Sequence, residues 1–163
     1  MGYWTIAPEP FDSAVVAALW RDYYTEVSDR WHWLHDGCST APDELERGIA
    51  GSSGAEFGSP GGVLLVLCYA GEPVGTVGVH LLDAATAELN RVFLRVDMRG
   101  RGGGAVLLAA AEDAARTLGA GRIVLDTRHD LVEARALYAR HGYAESEPHN
   151  NGPYADHWFS KVL

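Results

Sequence analysis

The sequence predicts an α/β domain of the α+β kind, with a mixed but mainly antiparallel sheet, and three observations carry that reading. Residues 62–70, 72–82 and 86–94 are Val- and Leu-rich runs separated only by turn signals around Gly71 and Asp83. Connections that short can join antiparallel neighbours but cannot cross over to parallel ones. Apolar residues recur at helical spacing both before these runs and after them. Finally, "RIVLDT", residues 122–127, is a short buried strand set between two helical stretches.

A length of 163 residues is near the usual size of one hydrophobic core, so residues 1–163 are expected to form a single domain. The elements follow in order after an opening strand. "DSAVVAALWRDYYTEV" places Val16, Leu19, Tyr23 and Val27 at helical spacing behind the capping candidates Asp12 and Ser13. "TAPDELERGI" sets Thr40 and Asp43 at capping-box spacing, has Pro42 early, and puts Leu45 and Ile49 on one face of a second, shorter helix. "AGSSGAEFGSPGG", residues 50–62, reads as a flexible connection to the three-strand meander. "AVLLAAAEDAARTLGAG" returns to helical spacing through Leu107, Ala111, Ala114 and Leu118, and Gly119 stops it. "RIVLDT" follows, then the helix "LVEARALYARHG" closed by Gly142, and "YAES" and "DHWFSKVL" are late strands. The whole reads β-α-α-β-β-β-α-β-α-β-β.

Composition excludes several function classes. A formal net charge of -9 repels nucleic acid and anionic lipid, so neither is an expected partner. No segment approaches the roughly 20 apolar residues that span a bilayer. The start "MGYWTIAP" lacks a basic region followed by an apolar stretch, and Ile6 stands where myristoylation requires Ser or Thr, so the expected location is cytoplasmic. Two cysteines imply no disulfide framework, and Cys68 within an apolar run reads as a small hydrophobe. Of 13 basic residues only Lys161 is lysine, a bias that suggests a GC-rich bacterial coding sequence.

The chemistry concentrates in "RVDMRGRGGGAVLL", residues 95–108. Its glycines lie between a strand ending near Leu94 and a helix opening near Gly103, where free backbone N–H groups and the helix dipole favour an anion. Residues 90–101 also hold Arg91, Arg95, Arg99 and Arg101 against Asp97 alone, a local charge of +3. A phosphate group is the expected ligand. A Walker loop is excluded because no Lys-Ser or Lys-Thr follows the glycines. The dinucleotide fingerprint is formally matched by Gly100, Gly102 and Ala105 with Asp126 downstream, yet it should open a series of βαβ units, and an antiparallel meander comes first instead.

"LRVDMRGRGGGAVLL" resembles the R-x-x-G-x-G segment of the GNAT superfamily of N-acetyltransferases, with Arg99, Gly102 and Gly104 at the defining positions. "EARALYARHGY" is similar to that family's penultimate helix, and the element order agrees over nearly the whole chain. Two departures stand out: Val96 replaces a frequent proline, and Leu131 replaces a frequent asparagine. The resemblance implies a central sheet with helices on both faces, and acetyl-CoA as co-substrate, its pyrophosphate held by Arg99, Gly100, Arg101, Gly102, Gly103 and Gly104. It further implies a kink in the preceding strand that frees a backbone N–H near Phe93 or Leu94 for the oxyanion.

Acetyl transfer to an amine needs a base and an acid. The resemblance assigns the base to Glu88, which as a weakly basic carboxylate would act through water or after burial. It assigns the acid to Tyr138, since a phenol of pKa about 10 matches a departing thiolate. Trp31, His32, Tyr154 and His157 are candidate walls for the amine acceptor, a small molecule or a peptide, with Asp156 beside them. His32, His35 and Cys38 invite a zinc reading, but three ligands without a second pair argue that no metal is held. Two other classes remain open: a non-catalytic acetyl-CoA-binding regulatory module, and an NAD-dependent oxidoreductase. The chain alone leaves the acceptor and the oligomeric state open, a homodimer included.

Overall fold

The computed structural model describes residues 3–163. Strand β1 (Trp4–Pro8) leads into helices α1 (Ala14–Asp36) and α2 (Pro42–Gly51). The meander β2 (Gly62–Tyr69), β3 (Glu72–Leu81) and β4 (Thr86–Leu94) follows, then α3 (Gly103–Thr117), β5 (Arg122–Thr127), α4 (Val132–Arg140), β6 (Ala144–Glu145) and β7 (His157–Val162). The strands form one sheet in the order β1-β2-β3-β4-β5-β7-β6, and β4 with β5 is its parallel pair.

Alternation along the strands sorts the apolar side chains to two faces. Leu65, Leu67, Val77, Val79, Ala87, Leu89, Ile123, Leu125 and Phe159 pack with Leu107, Leu108 and Ala111 of α3 and Tyr138 of α4. Leu64, Val66 and Phe93 pack on the opposite face with Val16 and Leu19 of α1. Each such Leu or Val contributes about 1.5–3 kcal/mol by leaving water. The mixed, mainly antiparallel sheet between two helical layers is therefore the architecture expected.

Local chemistry departs from expectation at two places. Ser13 caps α1 by accepting from the Val16 N–H at 3.2 Å, but α2 starts at Pro42 behind Ala41 with no side-chain cap. The Thr40 hydroxyl instead meets Ser28 at 2.7 Å, and its N–H donates to Asp29 at 2.9 Å, which fastens the α1–α2 connection. Residues 50–62 are not a bare connection either: Ala55–Phe57 make a 3₁₀ turn, and Phe57 is buried in the α1-side core. Gly78 of β3 makes room for that ring, since a Cβ there would strike it.

One irregularity positions the site. Thr76 pairs with Phe93 and Gly78 with Asn90, so Arg91 and Val92 together face one residue of β3. This is a β-bulge, with Arg91 at φ 55° and its carbonyl held by the Thr76 hydroxyl at 2.9 Å. Pairing between β4 and β5 covers only Thr86–Glu88 against Arg122–Val124. Beyond Glu88 the two strands part.

Candidate active site

The parting of β4 and β5 opens a cleft of about 450 Å³. Val92, Phe93 and Leu94 form one wall, Tyr23 and Glu26 of α1 another, and Leu131, Ala134 and Leu137 a third, with the turn at Arg99 to Gly104 as its floor. Gly100 and Gly102 have φ of 79° and 90°, a region that side chains strongly disfavour. Gly103 and Gly104 are small for a different reason. A Cβ at Gly103 would lie 2.8 Å from Trp4, and one at Gly104 would lie 3.1 Å from Leu137. Gly102 caps α3 without a side-chain acceptor, so the first N–H groups of that helix lack a protein partner and suit an anion.

Of the four arginines expected to gather here, only Arg99 lines the cleft. Its Nε donates to the Leu94 carbonyl at 2.8 Å, and its two terminal nitrogens donate to Glu26 at 3.0 and 2.6 Å. The Arg101 guanidinium lies over the Tyr69 ring at 5.9 Å, Arg95 pairs with Glu72 and Asp97, and Arg91 lies over Trp20 at 4.4 Å. Bulge and turn rotate successive side chains outward, so the local +3 does not converge on the glycines.

Tyr138 is 5% exposed and packs against Tyr143 and Phe159 behind the residues that line the cleft. Burial pushes its phenol above the ordinary range, with Tyr23 and Asp126 adding to the rise. Tyr23 lines the cleft directly, meets the Phe93 ring at a tilt with centroids 5.7 Å apart, and its phenol is likewise raised by desolvation. The sequence marked Tyr23 only as a core position of the first helix.

Glu88 lies on the α1 side of the sheet at the point where β4 and β5 separate. Its side chain is 13% exposed. Oε2 is 2.8 Å from His149 Nε2, and Oε1 is 3.6 Å from His80 Nε2. Asn150 donates to Asp126 at 2.7 Å and accepts the Trp158 indole N–H at 3.0 Å. The sequence reading missed His149 and Asn150. Their signal was two polar residues in the connection between β6 and β7, which carries no periodicity.

Trp31, Tyr154 and His157 line a second cleft, of about 630 Å³, together with His35, His129 and Asp156. Trp31 stacks on His35 at 4.2 Å and meets the Tyr154 ring edgewise at 6.1 Å, while His129 and His157 are hydrogen-bonded at 2.8 Å. His32 stands apart. It bonds to Asp36 at 2.7 Å and Glu44 at 3.1 Å, which ties α1 to α2. Cys38 is exposed, and His35 is taken up by Trp31, so the three-residue zinc reading has no convergent geometry. Asp126 reaches Asn150 rather than the glycine turn, and the sheet is no βαβ series, so the dinucleotide pattern is not realised in this fold.

A family model described as the acetyltransferase (GNAT) family matches residues 13–143. An uncharacterized N-acetyltransferase of Schizosaccharomyces pombe is 31% identical over 60% of this chain and 61% of its own length. YhfO of Bacillus subtilis, also an uncharacterized N-acetyltransferase, is 28% identical over 82% of this chain and 85% of its own. Among solved structures, the PaiA N-acetyltransferase of Thermoplasma acidophilum in complex with coenzyme A superposes with a TM-score of 0.74 at 15% identity, over 99% of each chain. A GNAT family acetyltransferase of Elizabethkingia anophelis with acetyl-CoA bound gives a TM-score of 0.63 at 15% identity, over 98% of each chain. These last two likenesses concern the fold. With the family model spanning most of the chain and the bulged strand running into a glycine turn at a helix start, this protein belongs to the acetyltransferase (GNAT) family.

Proposed function

We propose that this protein moves an acetyl group from acetyl-CoA to a small-molecule or peptide amine by direct attack. The observation that carries the reading is the cleft itself, where a bulged strand runs into a glycine turn and an uncapped helix start, with the Glu88 carboxylate, 13% exposed, farther back on the same strand where β4 and β5 part. Acetyl-CoA, when bound, supplies the thioester carbonyl that an amine attacks.

The chain's own residues divide the work. The N–H groups at Gly102 to Gly104 hold the pyrophosphate, and Arg99 adds charge at the cleft floor. A backbone N–H near Phe93 or Leu94, on the edge that β5 no longer pairs, stabilises the oxyanion. Glu88 accepts the proton released by the amine. Tyr138, kept protonated by burial, donates to the departing sulfur. The acceptor enters past Trp31, Tyr154 and His157, with His32 supporting that wall through α2. A purely regulatory module would need neither a proton-accepting carboxylate nor a proton-donating phenol.

Calorimetry with acetyl-CoA, followed by an amine screen that detects free thiol, tests the reading. Binding plus thiol release with at least one amine is expected. Gly102→Glu adds a side chain and a negative charge at the cradle, and a folded variant should bind acetyl-CoA at least tenfold more weakly. Unchanged affinity in that variant removes the cradle, and binding with no amine ever acetylated leaves a regulatory module.

A further inference from the structure

The geometry points to His149 as the positioning residue of the proton-accepting carboxylate: it clamps one oxygen of Glu88 and leaves the other to act. This rests on the acetyl-transfer reading and names a residue that reading does not use. Glu88 is acceptor-only when ionised, so the 2.8 Å contact requires His149 Nε2 to carry the hydrogen. In the neutral ring Nδ1 is then bare, and it is buried without a partner among the described residues. Asn150 Nδ2 also lies 3.4 Å from Nε2, at the outer limit of a hydrogen bond, so the shorter contact to Glu88 sets the tautomer.

Asn150 reinforces the clamp. An indole N–H can only donate, so Trp158 fixes the Asn150 carbonyl toward itself and turns the amide nitrogen toward the acids. That nitrogen donates to Asp126 at 2.7 Å and lies 3.5 Å from Glu88 Oε2. Both contacts to Glu88 thus fall on Oε2. Oε1 faces His80 at 3.6 Å, too far for a hydrogen bond, so it keeps its lone pairs. A carboxylate held at one oxygen presents the other in one direction, and loss of such alignment can cost about 10²-fold.

Gln places a side-chain N–H where the His149 Nε2–H stands, whereas Ala places none. His149→Ala is expected to lower kcat by about tenfold to hundredfold while calorimetric affinity for acetyl-CoA stays within twofold. His149→Gln is expected to recover most of that loss. Nitrogen-15 NMR of the unliganded, unmodified protein should report a His149 ring carrying a hydrogen at Nε2, a measurement independent of turnover. A ring protonated at Nδ1 and bare at Nε2, or Gln no better than Ala, overturns the clamp. So does turnover abolished by a chelator and restored by zinc or manganese, because Glu88, Asp126 and His149 would then act as ligands, their donor atoms lying within 4.8 Å of one another. Absence of thiol release with every amine, the Nε2 tautomer being present, overturns the acetyl-transfer reading instead.

Discussion

Arg99 and Glu26, 73 residues apart, form a two-bonded ion pair across the floor of the cleft, with N···O distances of 2.6 and 3.0 Å. The pair docks the middle of α1 onto the turn that precedes α3. It also places a negative charge on the cleft wall, where the proposed pyrophosphate would sit.

Glu26→Gln removes that charge while keeping an oxygen for Arg99. One unit charge several ångströms away in a wet cleft is worth about 1 kcal/mol, so acetyl-CoA affinity should rise about threefold to tenfold. Titration calorimetry at low salt measures it. The gain should shrink at 1 M salt, where charges are screened within about 3 Å. A weaker Kd in Glu26→Gln would mean that the carboxylate chiefly orients Arg99.

A buried phenol, Tyr138, and a cleft-lining one, Tyr23, compete for the role of acid. Tyr138→Phe should lower kcat by roughly 10²-fold or more with acetyl-CoA affinity unchanged, because general acid catalysis contributes about 10²–10⁴-fold. Tyr23→Phe, which alters the cleft wall, should change KM for acetyl-CoA more than kcat. Steady-state kinetics on both variants decides between them. The reverse pattern transfers the proton-donating role to Tyr23.

The fold was legible where a short-range signal forced it. Val16 and Leu19 lay on one helical face, Gly119 and Gly142 ended helices at φ of 100° and 89°, and "RIVLDT" is β5 to the residue. The glycine turn was legible because only glycine tolerates its φ values. What escaped notice depends on chain segments that meet only after folding. Nothing in "VDMRGR" says that a bulge at Arg91 and Val92 sends neighbouring guanidinium groups to Glu72, Trp20 and Tyr69. His149 and Glu88 are 61 residues apart, and Thr40 surrendered its expected cap because Ser28 and Asp29 came within reach.

His32 gives stability a pH dependence of definite sign. The Asp36 hydrogen bond, with Glu44 assisting, raises its pKa above the unfolded value near 6.5. A raised imidazole contributes stability fully below that unfolded value, and the contribution is lost as pH rises through the folded one. Hydrogen exchange at the α1–α2 connection should therefore quicken as pH rises above the ordinary imidazole range near 6.5, beyond the intrinsic rise in exchange rate. His32→Gln should abolish that excess. An excess that persists in His32→Gln assigns the effect to another group.

The one lysine in the chain anchors the far side of the domain, and its loss should separate stability from catalysis. Glu112 of α3, 7% exposed, accepts the Tyr143 hydroxyl at 3.1 Å and Lys161 Nζ at 2.8 Å, while Lys161 also donates to the His141 carbonyl at 2.9 Å. These bonds tie β7 to α3 and to the turn that ends α4. Lys161→Met preserves the aliphatic stem but leaves Glu112 charged, buried and short of a partner. Breaking a buried pair from one side costs about 3–5 kcal/mol, and the partial exposure of Lys161, 27%, reduces this to about 2–3 kcal/mol. For a chain of this length that lowers Tm by roughly 5–10 °C. Glu112→Gln in the same protein removes the orphaned charge and keeps an acceptor for Tyr143, so the double variant should recover at least half of the loss. Acetyl-CoA affinity at 25 °C should stay unchanged in both, since neither residue lines the cleft. Melting curves for the two variants and the double settle it: additive losses would show that the two charges do not depend on one another.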